Sequence, residues 1–82
     1  MPRFYFDTKL NGSVFEDPEG ADFETLAAAK HEALAAAAAF TAERLLRGNK
    51  IQDEEKIVRS ENGETVARFK MRDALKELAA QA

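Results

Sequence analysis

The sequence predicts an α+β fold of order β-β-α-β-β(-α), in which a four-stranded antiparallel sheet carries one long helix on one face and a short C-terminal helix follows. Three observations predict it. Residues 26–47 run without proline or glycine and include five consecutive alanines at 35–39. One Asn-Gly pair, Asn11-Gly12, precedes that run, and a second, Asn62-Gly63, follows it. Asn-Gly supplies the two positive φ angles of a type I′ turn, whose twist matches a pair of antiparallel strands. Two hairpins therefore bracket one helix, and the economical packing lays that helix across the sheet.

The first hairpin covers residues 3–17. Phe4, Tyr5 and Phe6 favour extended backbone. A two-residue loop at Asn11-Gly12 pairs Leu10 with Ser13, Thr8 with Phe15 and Phe6 with Asp17. Because side chains alternate along a strand, this register puts Phe4, Phe6, Leu10 and Phe15 on one face. Tyr5, Asp7, Lys9, Val14 and Glu16 fall on the other. Asp17-Pro18-Glu19-Gly20 then breaks the strand with turn-forming residues.

Thr25 is placed to cap the helix, its hydroxyl accepting from a free amide of the first turn. Phe23, just outside, can fold back on that turn. Gly48 suits the left-handed position beyond the helix end, and Arg44 and Arg47 lie where cations favour the dipole. At about 100° per residue, Leu26, Ala33, Leu34, Ala37, Phe40, Thr41 and Leu45 share a stripe that should face the sheet, with the Lys30 stem among them. Ala35, Ala36 and Ala39 point elsewhere and form a smooth surface that a second helix could approach closely. A helix of this length spans roughly 33 Å against roughly 20 Å for the strands, so its end, with Leu45 and Leu46, should overhang the sheet.

In the second hairpin, residues 55–71, Asn62-Gly63 pairs Ser60 with Thr65, Val58 with Ala67 and Lys56 with Phe69. Val58, Ala67, Phe69 and Met71 then face the helix, while Ile57, Arg59, Val66 and Arg68 face outward. Asp73 can cap a terminal helix over residues 74–80, which either docks or frays.

Composition narrows the function. Eighty-two residues make a single domain, 1–82, near the lower size limit for a self-sufficient core. Sixteen of its apolar residues are alanine, so the core is thin and invites cover from a partner chain. There is no cysteine, hence no disulfide support, in keeping with a reducing, cytoplasmic setting. Twelve basic and fifteen acidic residues give a net charge of −3, which argues against binding dominated by phosphate neutralisation. No apolar run is long enough to span a membrane, and the charged start MPRFYFDTK does not read as a signal peptide.

Chemistry-bearing motifs are sparse. His31, the one histidine, has no second histidine or carboxylate at helical metal-ligand spacing and reads as a surface residue. Asp17, Glu19 and Asp22, with Glu16, form the densest acidic group, but their spacing is not that of an EF-hand, and Asp17 reads as a turn cap. No nucleophile–base pair and no phosphate-binding loop is present. The expectation is a non-enzymatic chain with no metal and no cofactor.

The order of features resembles a family of small, uncharacterised bacterial proteins built on a domain of unknown function. The resemblance is carried by Met1-Pro2-Arg3-Phe4-Tyr5-Phe6, by Asp17-Pro18-Glu19-Gly20, and by Ala33-Leu34 in the alanine-rich helix. It extends to about Met71, leaving residues 72–82 as an added tail, and it implies the element order without implying an activity.

The leading expectation is a protein-interaction or self-association module, a homodimer or a binder of another protein. Its candidate interface is the alanine face with the helix end: Ala35, Ala36, Ala39 and Leu46. The alternative is a nucleic-acid-binding or regulatory domain that works through Tyr5, Arg59, Arg68 and Lys70 on the outer sheet face, where an aromatic and cations could meet bases and phosphates.

Overall fold

The computed structural model describes residues 1–80; the last two residues of the tail lie outside the described residues. Strands β1 (Arg3–Leu10) and β2 (Ser13–Phe15) form the first hairpin. A two-residue strand β3 (Ala21–Asp22) precedes helix α1 (Leu26–Leu46). Strands β4 (Glu54–Arg59) and β5 (Thr65–Lys70) form the second hairpin, and a 3-10 turn, Met71–Asp73, leads into helix α2 (Ala74–Ala80). The sheet is antiparallel in the order β2-β1-β4-β5, with β3 on the same edge of β1 as β2. The expected α+β architecture is thus present, with one additional short strand.

The Asn-Gly turns behave differently from one another. Asn11 and Gly12 both take positive φ, at 50° and 89°, and Leu10 and Thr8 pair with Ser13 and Phe15 as the two-residue loop requires. The expected pairing of Phe6 with Asp17 does not form, because the strand stops at Phe15. The Asp17 side chain takes the Phe6 amide instead, at 3.2 Å. In the second hairpin Val58 pairs with Ala67 and Lys56 with Phe69, but Thr65 lies opposite Arg59 rather than Ser60. The register shifts between Val58 and Arg59, so Val66 is the extra residue of a β-bulge. The bulge turns Val66 onto the helix-side core, where simple alternation had placed it outward.

Helix α1 is capped at both ends as its sequence signals suggest. Thr25 accepts from the Ala28 amide at 3.1 Å. At the other end the Gly48 amide donates to Leu45 and the Asn49 amide to Arg44, with Gly48 at φ 76°. This is the Schellman pattern that satisfies the last free carbonyls.

The buried stripe is rotated from the expected one. Ala29, Ala33, Leu34, Ala37, Ala38 and Thr41 are buried, whereas Leu26, Phe40 and Leu45 remain exposed. Twenty-one residues rise about 31 Å, longer than the strands beneath. Ala38 is buried because α2 docks along α1. Ala74 and Leu78 join the same core as Phe4, Val58, Phe69 and Met71. Thr41 locks the junction by donating to the buried Met71 carbonyl at 3.1 Å.

The alanine at position 37 is 1% exposed, so a carboxylate there would be set among apolar neighbours without a partner. Ala37→Glu is expected to cost about 3–5 kcal/mol, as an unpaired charge forced into the core. Ala39→Glu, on the exposed surface, should stay within about 0.5 kcal/mol of the parent, since glutamate is also a good helix former. Urea denaturation of the two variants checks the rotation of the stripe.

Candidate functional site

Two surfaces carry unusual side chains, one on each face of the sheet. The outer face is organised around Asp7, which lies in the middle of β1 and is only 3% exposed. Its carboxylate accepts from both Nε and Nη2 of Arg59, the latter at 3.2 Å, and from the Asp17 amide at 3.0 Å. Arg59 stacks at 5.1 Å over the ring of Tyr5, its cross-strand neighbour, and reaches Glu16 at 3.8 Å. Burial alone would push the Asp7 carboxyl up. The Arg59 hydrogen bonds and the Asp17 amide outweigh burial and hold it below the ordinary aspartate value.

Asp17 does the same for the turn that follows. Its carboxylate accepts from the amides of Phe6, Glu19 and Gly20, each at 3.2 Å. Burial opposes ionisation here too, and the three amides, led by that of Gly20, bring its carboxyl below the usual range. Asp17 therefore acts as a turn cap. Gly20, at φ 69°, passes so close to β1 that a Cβ would stand 2.7 Å from the Phe4 carbonyl and 3.0 Å from the Tyr5 ring. Arg3 closes the turn from the other side through the Glu19 carbonyl at 2.8 Å and Asp22 at 3.0 Å. The two segments that open the chain and end the first hairpin are thus bonded to each other.

Of the four outer-face residues selected from the sequence, the structure joins Tyr5 and Arg59. Arg68 lies on the same face and contacts Glu55 at 3.6 Å, and Lys70 is exposed beside that pair. Carboxylates therefore face both arginines, and a guanidinium covers the Tyr5 ring. His31 is exposed on α1. Among the described residues no group of three or more His, Cys, Asp or Glu could hold a metal ion, and no helix is long and apolar enough to cross a membrane.

On the other face, α1 covers only part of the sheet. Phe15 of β2 is 59% exposed, with Phe6, Thr8 and Leu10 of β1 half-buried beside it. Between this open half and α1 runs a groove of about 480 Å³, lined by Phe6, Ala21, Phe23, Ala33 and Ala36 with Glu32 and Lys56 among its walls. It continues past Ala36 and Lys56 into a hollow of about 250 Å³ bounded by Ala37, Phe40 and Met71.

The groove's floor is aromatic. Phe23 meets Phe6 edge-on at 5.8 Å and Phe4 at 6.4 Å. Lys56 is held at the groove by the Thr8 hydroxyl at 2.7 Å. Of the four interface residues chosen from the sequence, Ala36 lines the groove. Ala35 is half-buried, and Ala39 and Leu46 are exposed. Phe6, Phe23 and Phe40 were read in the sequence as core or cap residues, and only the incomplete cover of the sheet turns them into a surface.

The arrangement defines a small α+β domain with a helix set across an incompletely covered sheet. Residues 3–72 match the family model of a domain of unknown function, DUF6894, and the chain belongs to that family. No match was found among curated proteins or among solved structures. Helix α2 lies beyond the matched residues.

Two outcomes follow from the Asp7–Asp17 network. Both carboxyls are more acidic folded than unfolded, so the stability they confer is complete above the ordinary aspartate value of 3.8 and is lost as pH falls through their lower folded values. Urea midpoints measured from pH 7 down to pH 3 should drop below about pH 4, and Asp7→Asn should flatten that drop while costing about 1–3 kcal/mol at neutral pH. At Gly20, alanine meets both a left-handed backbone and a close carbonyl. Gly20→Ala should therefore lose more than the roughly 1–2 kcal/mol of a left-handed alanine alone. Gly12→Ala, with nothing within 4 Å of its Cβ, should lose no more than that.

Proposed function

We propose that this chain is a non-enzymatic protein-interaction module whose docking surface is the groove between α1 and the sheet, and that it takes an aromatic side chain presented by a protein partner. The observation that carries this reading is the groove itself, about 480 Å³ and floored by Phe6 and Phe23. It is concave and apolar, with few polar groups to fix orientation, as binding sites tend to be. Phe rings at tilted and edge-on angles leave further edge-to-face positions for an incoming ring. Large apolar side chains at 40% exposure or more, Phe15, Phe40 and Leu26 among them, lie on the same side of the sheet as α1. Exposed apolar side chains beside an apolar groove are a mark of an interaction site.

The outer sheet face supports nucleic-acid binding less well. Its arginines face carboxylates, Arg59 already occupies the stacking position over Tyr5, and the net charge is −3. An ion-paired, solvent-facing sheet is the simpler account of that face.

Indole, standing in for an aromatic side chain, tests the reading. Titrated into the isotopically labelled chain at a concentration where it is monomeric, it should shift the amide resonances of Phe6, Phe23, Ala33 and Ala36, and Ala36→Glu should abolish the response while the monomer keeps its melting temperature. Shifts confined to Tyr5, Arg59 and Arg68, or no shift up to the solubility limit of indole, would remove the groove from consideration.

A further inference from the structure

We infer that the groove's occupant is a second copy of this chain, docked about a two-fold axis with the two α1 helices antiparallel and crossing near Ala36; the inference rests on the docking-groove reading above. Knob and hole lie on the same helix at self-complementary spacing. In antiparallel helices related by a two-fold axis at residue 36, position 36+n of one protomer meets position 36−n of its partner. Phe40 of one protomer then stands opposite Glu32 of its partner, in the stretch of α1 whose Glu32, Ala33 and Ala36 line the groove. Phe40 is 44% exposed, and symmetry makes the contact twice.

Charge follows the same register. The Arg44 guanidinium lies 5.6 Å from the centre of the Phe40 ring and hydrogen-bonds only the Lys50 carbonyl. Among the described residues it has no carboxylate partner, and Glu32 has no cationic one. Seating Phe40 opposite the partner's Glu32 sets Arg44 one turn further on, opposite the partner's Ala28, about 6 Å along the axis from that Glu32, a step the arginine side chain spans, so each carboxylate gains a cation diagonally across the axis. Small residues at 36 and 39 let the helices approach at the short end of the usual 8–10 Å interaxial range. The open sheet half with Phe15 then flanks the helix pair. A standard interface of about 800 Å² per partner would take roughly 15% of this chain's 5381 Å².

Sedimentation equilibrium of the full chain, from micromolar to submillimolar concentration, tests the inference through three variants. The parent should show a monomer–dimer equilibrium. Phe40→Ala should weaken it by about tenfold or more, as expected for an aromatic anchor. Glu32→Arg and Arg44→Glu should each weaken it several-fold, and the double variant Glu32→Arg/Arg44→Glu should restore most of the affinity, because the swapped charges meet again across the axis. Glu32 is exposed and Arg44 half-buried, so Glu32→Arg keeps the test informative if Phe40→Ala or Arg44→Glu is poorly folded. A chain that stays monomeric throughout overturns the inference. A dimer indifferent to these variants overturns it as well, and so does one in which the double variant is no better than the singles. A monomer whose groove still takes up indole leaves the docking reading intact while removing the second copy; a monomer that takes up no indole removes both.

Discussion

One buried carboxylate organises the first half of the chain. Asp7 sits at the centre of β1, and desolvating it would be costly unless it were fully bonded. Arg59 supplies the counter-charge from β4, and the Asp17 amide supplies a further donor from the end of the first hairpin. The consequence runs outward. With its amide tied to Asp7, Asp17 turns its own carboxylate onto Phe6, Glu19 and Gly20. That turn sets the chain down as β3 against Arg3 and Phe4. The Phe23 amide then bonds the Pro2 carbonyl, and its ring lands on Phe4 and Phe6. The aromatic floor of the groove on one face is thus placed by an ion pair on the other.

The same chain of contacts accounts for the carboxylates of the acidic turn. Its one inward carboxylate is fully used by backbone amides, and Asp22 is engaged by Arg3. Local turn chemistry of this kind competes with metal coordination for the same lone pairs, and for Asp17 every donor is a backbone amide. The segments that carry the likeness to the family are therefore joined in one structural knot, with Arg3 reaching the carbonyl of Glu19 within the turn.

Much of the architecture was legible because its signals are local. Asn-Gly has few alternatives to a tight turn, Thr25 and Gly48 mark helix ends by their own chemistry, and alternation in β1 separates Phe4 and Phe6 from Tyr5 and Asp7. What was not legible depends on distant parts of the chain. The rotation of α1 could not be read accurately, because alanine on every side leaves little contrast between faces and the large residues Leu26, Phe40 and Leu45 dominate the apparent stripe. Ala38 is buried by α2, about 40 residues later in the chain, and Val66 by a bulge whose register shift no dipeptide announces. The groove was invisible for a related reason: Phe6 and Phe23 have the pattern of core residues, and it is the narrowness of the cover above them that exposes their edges.

The alanines facing the sheet have a consequence for how such a sequence can drift. Ala29, Ala33 and Ala37 are buried with a single methyl each, Ala29 within the packed core and Ala33 and Ala37 at the edge of the groove and the hollow beside it. Enlarging Ala29 would overpack the core, and enlarging Ala33 or Ala37 would fill the groove instead. Exposed positions such as Leu46, at 88%, are under no such packing restriction. Variation across the family should therefore be sharply uneven along α1: small side chains would be held at 29, 33 and 37, where alanine looks least distinctive, while the large residues near the helix end would exchange freely.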